Sequence, residues 1–292
     1  MRLMSFERAG EPGVGVLEGD RVRPYRLDPE AAEQGLMAIV QAHVEGRAPA
    51  LANVTLSTVE LAPRAAFPRP RRNIFCVGKN YHEHAHEFAR SGFDSSASAG
   101  AVPDHPIVFS KVPECVIAPG QPIQIYRSVS PAIDYEAELL VVVGKGGRGI
   151  PKERALEHVW GYGIVNDVTA RDLQGRHKQW LIGKSQDSFC PMAAVAVTRD
   201  EIDLATARVR CWVNGELRQD QATGEMIFDV PTLVATLSAG ITLLPGDLIA
   251  TGTPVGVGIG FNPPKYLKDG DRVAIEIDGI GRLENPVVER LP

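Results

Sequence analysis

The segment IDYEAELLVVVG places Asp134, Glu136 and Glu138 at alternate positions leading into an aliphatic strand. Side chains of a strand point alternately to its two faces, so this spacing sets all three acids on one face. As a solvated strand face it is an awkward choice, because like charges two residues apart repel. A divalent cation would remove the repulsion, and carboxylate oxygens suit Mg2+, Mn2+ or Ca2+ better than zinc. A further acid, Asp167, closes the apolar run of GYGIVNDVTARDLQ, where on its own it serves equally well as a turn or helix-capping residue. Arg171 and Asp172 behind it could form a structural ion pair.

In CVGKNYHEHAHEF, His84 and Glu87 lie three apart, which on a helix puts them on the same side. The carboxylate can then orient the imidazole and raise its basicity, the geometry of a general base. Two other readings stay open: His82, Glu83, His84, His86 and Glu87 could all face water, or the histidines could be weak metal ligands. Lys184, in the strand-like IGKSQDSFCPM between Ile182 and Phe189, needs an acidic partner if it is buried. The turn TGTPVGVGIG at 251–260 offers N–H and hydroxyl donors to a carboxylate or phosphate. Its glycines lack a GxGxxG arrangement followed by a helix, so nucleotide binding is not supported.

The elements that must position these residues are mostly short strands. From Asn73 onward the chain reads NIFCVG, PIVFSK, QPIQIY, AELLVVVG, YGIVNDV, AAVAVT, RVRCWVNGEL, DLIATGTP and DRVAIEID, punctuated by Gly and Pro. Asn214-Gly215 between β-like flanks signals a hairpin. Helices are expected at His82–Arg90, Lys152–His158, Thr169–Arg176 and Val230–Ser238. Upstream, residues 1–27 alternate like strands, and 29–46 has helical spacing with Leu36, Ile39, Val40 and Val44 on one stripe. The Pro- and Arg-rich segment 62–72 suits a connector. The expectation is an α+β, mostly β chain with a small N-terminal β/α domain over 1–68 and a larger catalytic domain over 69–292. The small and polar segment 90–105, directly after the His-bearing helix, is expected to be a loop able to act as a lid.

Composition narrows the function classes. With 29 Gly and 22 Pro, a helical bundle is excluded as the main architecture. A net charge of −5 over 292 residues, with no basic cluster longer than Arg69–Arg72, removes the electrostatic footprint for nucleic acid or an anionic membrane. No apolar run approaches the roughly 20 residues that span a bilayer, and the N-terminus lacks signal-peptide texture, so a cytoplasmic protein is expected. The four cysteines have no CxxC spacing and are expected to be reduced thiols.

Together CVGKNYHEHAHE, DYEAEL, NDVTARDLQ, GKSQDSFCP and TGTPVGVG, in this order from about residue 70 to the C-terminus, closely resemble the fumarylacetoacetate hydrolase family. The resemblance implies a mixed β-sandwich or β-roll catalytic domain, often dimeric, so a homodimer is expected. It implies that Glu136, Glu138 and Asp167 hold Mg2+ or Mn2+, with Ca2+ an alternative. It further implies a water-activating dyad of His84 and Glu87, a catalytic Lys184, and substrate contacts from Arg171, Gln174 and Thr253. His82 and His86 match nothing in the family pattern. The founding hydrolase supplies one more Asp ligand ahead of its catalytic His, and no acid occurs in NIFCVGKNY. The chain therefore resembles the shorter, acylpyruvate-hydrolase-like branch, and the partner implied is a small 2-oxo acid. The reaction implied first is hydrolysis of a carbon–carbon bond in a 2,4-dioxo acid of the acylpyruvate or fumarylpyruvate type, as in aromatic catabolism. The alternative is decarboxylation, isomerisation or tautomerisation of an oxo acid on the same metal site, since all pass through an enolate. A non-catalytic binding protein of the same fold is a remote third.

Overall fold

The computed structural model describes residues 1–92 and 102–291, so most of the expected 90–105 lid segment lies outside the described residues. In chain order the first strands are β1 (Arg2–Arg8), β2 (Glu11–Glu18), β3 (Arg21–Pro24), β4 (Leu56–Ser57), β5 (Ala62–Pro63), β6 (Ile74–Gly78) and β7 (Ile107–Lys111). They continue as β8 (Val116–Ile117), β9 (Ile123–Ile125), β10 (Ile133–Asp134), β11 (Ala137–Val143), β12 (Val159–Asn166), β13 (Thr169–Ala170) and β14 (Cys190–Pro191). The last are β15 (Val195–Thr198), β16 (Arg208–Val213), β17 (Glu216–Ala222), β18 (Leu248–Ala250), β19 (Arg272–Ile277) and β20 (Gly281–Glu289). Among the described residues six α-helices punctuate them: α1 (Pro29–Glu33), α2 (Met37–Val44), α3 (His82–Arg90), α4 (Arg171–His177), α5 (Leu181–Lys184) and α6 (Val230–Ser238).

One large sheet runs β4-β3-β2-β1-β15-β12-β11-β18-β6-β7, with β5 also on β1. A second runs β17-β16-β19-β20-β9. The N-terminal strands join the large sheet through antiparallel pairing of β1 with β15, Leu3 opposite Ala196. Strand β11 explains why the sheets pack as they do. Its Leu139, Val141 and Val143 share a core with Val209, Val273 and Ile275 of the second sheet. Leu140 and Val142 pack on the other side with Leu36, Ile39 and Val40 around α2. A strand buried on both faces needs the continuous aliphatic run seen in the sequence, not alternation. The architecture is α+β with strands dominant.

Local chemistry accounts for the element boundaries. Asn214 and Gly215 both take positive φ, +53° and +82°, as the tight β16–β17 hairpin requires. The helical spacing over 29–46 is split at Gly35, whose φ is +61° and where a Cβ would sit 2.7 Å from the Ala66 carbonyl oxygen. Val44, the last residue of α2, lies off the buried stripe and is 45% exposed. Helix α3 has the expected bounds, whereas Lys152–His158 is a 3-10 helix. The helix expected from Thr169 starts at Arg171, because Thr169 and Ala170 pair with β10. Lys184 lies at the end of helix α5, not in a strand. Among the described residues no helix is long and apolar enough to cross a membrane.

Candidate metal centre and active site

The acids meet where β11 and β12 begin and end. Beyond the last ladder pair, Ala137 opposite Asn166, the Asp167 N–H donates to the Glu136 carbonyl at 2.9 Å. Asn166 Oδ1 in turn accepts the Glu136 N–H at 3.0 Å. This extension brings Glu136, Glu138 and Asp167 together, their ligand oxygens all within 4.8 Å of one another and all three buried. Asp134 does not share that face. The strand breaks after it, and its carboxylate accepts the N–H groups of Gly258 (2.6 Å), Tyr135 (2.9 Å) and Ile259 (3.0 Å) together with Arg171 Nε (2.9 Å). The uniform alternation read from the sequence is thus corrected: Asp134 anchors the 251–260 turn and Arg171.

Three buried cations face the acids. Lys184 Nζ lies 2.6 Å from Glu136 Oε2 and 2.7 Å from Asp167 Oδ2, the acidic partners its burial demands. Arg171 Nη1 pairs with Glu136 Oε1 at 2.7 Å and reaches Gln174 Oε1 at 3.3 Å. Its Nη2 is buried with no partner among the described residues, a donor left for an incoming acceptor. The third cation, Lys111, was missed in the sequence. It is fully buried at the end of β7 and donates to Asp167 Oδ1 (2.7 Å), the Val168 carbonyl (3.1 Å) and the Lys184 carbonyl. The desolvation argument that singled out Lys184 applies equally to the lysine of PIVFSK and would have found it.

The charges are unevenly satisfied. Burial pushes Glu136 up, but Lys184, Arg171 and His84 outweigh it and hold its carboxyl down at about 2. Burial and then the negative charges of Asp167 and Glu136 push Glu138 well above the usual carboxylate range. Glu138 accepts one hydrogen bond, from the Gly252 N–H at 2.8 Å, and has no cationic partner at ion-pair distance among the described residues. Burial alone would lower Lys111, yet Asp167 outweighs it and the ammonium is held charged. An all-oxygen donor set with one carboxylate unpaired fits a hard divalent cation, and the buried triad could hold one.

Beside the triad stands the imidazole. Helix α3 buries His84, Ala85, Glu87 and Phe88 and exposes His82 and His86, so the water-facing reading holds only for the latter two histidines. His84 Nδ1 lies 3.0 Å from Glu87 Oε2, and Glu87 also accepts the Gly256 N–H at 3.1 Å. With Nδ1 engaged by a carboxylate, Nε2 is the ring atom left to exchange a proton. The Phe88 ring lies between the pair and the triad's cations, its centroid 6.3 Å from that of the His84 ring and 5.7 Å from the Arg171 guanidinium. Aromatic rings floor the region: the Arg171 guanidinium lies 5.7 Å from the Phe88 centroid and Lys184 Nζ 4.8 Å from that of Phe109. Thr253, buried in the 251–260 turn, accepts from Gln219 Nε2 at 2.8 Å. Gln219 also donates to the Pro254 carbonyl (2.7 Å) and accepts the Ala137 N–H (3.1 Å), tying the second sheet to the turn. A glutamine in a hairpin strand gave no sequence signal of this.

A family profile described as "Fumarylacetoacetate (FAA) hydrolase C-terminal" matches residues 73–288. Oxaloacetate tautomerase YisK of Bacillus subtilis is 50% identical over 234 residues, 80% of this chain and 74% of the relative. The mitochondrial oxaloacetate tautomerase fahd2 of Xenopus laevis is 37% identical over 304 residues, 99% of this chain and 90% of the relative. Among solved structures, a fumarylacetoacetate hydrolase from psychrophilic Exiguobacterium antarcticum superposes with a TM-score of 0.84 at 39% identity, over 99% of this chain and 100% of that one.

Proposed function

The chain belongs to the fumarylacetoacetate hydrolase family, and on that premise we propose that it is a tautomerase of small 2-oxo acids of the oxaloacetate type, dependent on Mg2+ or Mn2+. The sequence resemblance put carbon–carbon bond hydrolysis first and tautomerisation second; the two relatives named as oxaloacetate tautomerases favour the second. Glu136, Glu138 and Asp167 would hold the ion, which when bound supplies Lewis-acid stabilisation of negative charge on the substrate's oxygens.

The observation that carries the reading is the buried His84–Glu87 pair beside the triad. Interconverting enol and keto forms moves one proton between C3 and the C2 oxygen. A base with a fixed tautomer is needed at the carbon, and positive charge near the oxygen. Toward the enol, His84 Nε2 would take a proton from C3 while the C2 oxygen gains one from solvent, and toward the keto form His84 would deliver the proton to C3 while the oxygen loses its own to solvent, Glu87 stabilising the imidazolium in both directions. Lys184 would oppose charge that develops on the C2 oxygen. Arg171 Nη2 and Gln174 would hold a substrate carboxylate, and Thr253 would border it from the turn. Hydrolysis asks for one component more, an attacking water activated by the same dyad.

The direct test follows the ultraviolet absorbance of enol-oxaloacetate with Mg2+ and with EDTA, beside pyruvate release from acetylpyruvate and fumarylpyruvate. Expected is metal-dependent loss of the enol signal well above the metal-only rate, removed by His84→Ala. Acylpyruvate cleavage with no acceleration of enol decay would overturn the reading in favour of the hydrolase.

A further inference from the structure

Gly256 stands where the second sheet meets helix α3. Its N–H is shared between the two oxygens of Glu87, at 3.1 and 3.3 Å. Its carbonyl accepts the Tyr135 hydroxyl at 2.9 Å, and that hydroxyl accepts from Arg218 Nη1 at 3.3 Å. Its φ is +103°, and a Cβ would lie 1.9 Å from the Arg218 carbonyl oxygen, so only glycine fits. Arg218 is itself fixed, with Nη2 2.9 Å from Glu216 Oε2 and its guanidinium 5.0 Å from the centroid of the Phe261 ring. Tyr135 is fully buried, and its hydroxyl goes to the far side of the 251–260 turn, while the neighbouring Glu136 carboxylate goes to the triad.

We propose that Tyr135 and Arg218 are positioning residues that set the His84–Glu87 pair from behind the 251–260 turn, acting through the backbone of Gly256. The inference rests on the reading of that pair as the proton-transfer group. A continuous chain of contacts runs Arg218–Tyr135–Gly256–Glu87–His84, and its first three members use no group assigned above to substrate or metal. Tyr135 clamps the peptide that follows the Gly256 Cα, and the peptide that precedes it, joined at that Cα with φ +103°, points its N–H at Glu87 and leaves Oε2 in one orientation toward His84 Nδ1. Releasing the clamp frees the Gly256 Cα to shift, and with it the preceding N–H, Glu87 and the imidazole, and proton transfer is steep in such displacements.

The test is a double-mutant cycle on the Mg2+-loaded enzyme, with Tyr135→Phe, Glu87→Gln and the pair. Phe keeps the ring and deletes only the hydroxyl. Expected for Tyr135→Phe is a fall in kcat of about tenfold, with KM and Mg2+ affinity changed by less than about twofold. In the Glu87→Gln background the same change should alter residual turnover by less than about twofold, because a residue that acts through Glu87 has nothing left to act on. Arg218→Met should behave in the same way. Equal effects of Tyr135→Phe with and without Glu87 would reduce it to a structural residue and overturn the proposal. Hydrogen-exchange mass spectrometry gives an independent readout: Tyr135→Phe should speed exchange in 251–260 and 82–90 alone, and unchanged exchange there also overturns it. Full activity of the Glu87→Gln single variant would instead defeat the functional reading of the dyad, whatever the exchange data show.

Discussion

Replacing Glu138 by Gln should stabilise the metal-free protein while removing its response to metal. Glu138 is buried beside two other carboxylates and pairs with no cation among the described residues, so ionising it in the metal-free fold is unfavourable. Gln keeps the shape and can still accept the Gly252 N–H through its amide oxygen. The magnitude has a ceiling, because the fold can escape the repulsion by binding a proton at Glu138. Relative to an ordinary carboxyl near 4.5, holding that proton at pH 7.5 costs about 1.36 kcal/mol for each of three pH units, ~4 kcal/mol in all. The sign follows from the raised value: the folded state keeps a proton that the unfolded state has lost, so stability falls as pH rises above about 4.5 toward the raised folded value. Gln abolishes this loss. In EDTA at pH 7.5 the variant should therefore be more stable than the parent, by no more than that ceiling, and the difference should shrink as pH falls toward 4.5. With saturating Mg2+ the order should reverse, since binding to the folded parent adds stability the variant cannot gain. Urea unfolding at the two pH values, with EDTA or Mg2+, measures all four quantities. A Gln variant less stable than the parent in EDTA at pH 7.5 would refute the claim that Glu138 is an unpaired ligand waiting for a cation.

Lys111→Met removes the ammonium that satisfies Asp167 Oδ1 and two carbonyls, and breaking a buried pair on one side should cost about 3–5 kcal/mol in a urea titration. A loss under about 1 kcal/mol would show that Asp167 is held without it. Gly260→Ala would place a Cβ 1.8 Å from Glu87 Oε1, so the carboxylate must move. Enol-oxaloacetate turnover should drop by about tenfold or more while Mg2+ affinity, read by calorimetry, stays near the parent value. An unaffected rate would separate Glu87 from the chemistry.

Much of the site was legible because it is written in local patterns. Glu136 and Glu138 flank one alanine, and His84 and Glu87 are three apart on one helix, so backbone periodicity alone puts each pair together. The motif order identified the family, and the β-rich texture with its Asn-Gly hairpin identified the fold class. Local patterns misled where tertiary pairing overrode them. Asp134 continues the alternation but is claimed by the N–H groups of Gly258 and Ile259, more than a hundred residues away. Thr169 and Ala170 read as helix but pair with β10, and Lys184 reads as strand but ends α5.

By itself the sequence determined which residue types stand at which local spacing, and hence the carboxylate cluster, the His–Glu pair and the strand-rich chain that carries them. Only the tertiary structure decided how charge is shared among them. Lys111 reaches Asp167 across 56 positions, Gln219 ties the turn to β11 across 82, and Gly256 meets Glu87 across 169. Such contacts leave no periodic trace, because their partners are chosen by sheet order and packing rather than by separation along the chain. They decide which acids are paired and which, like Glu138, are left for a cation.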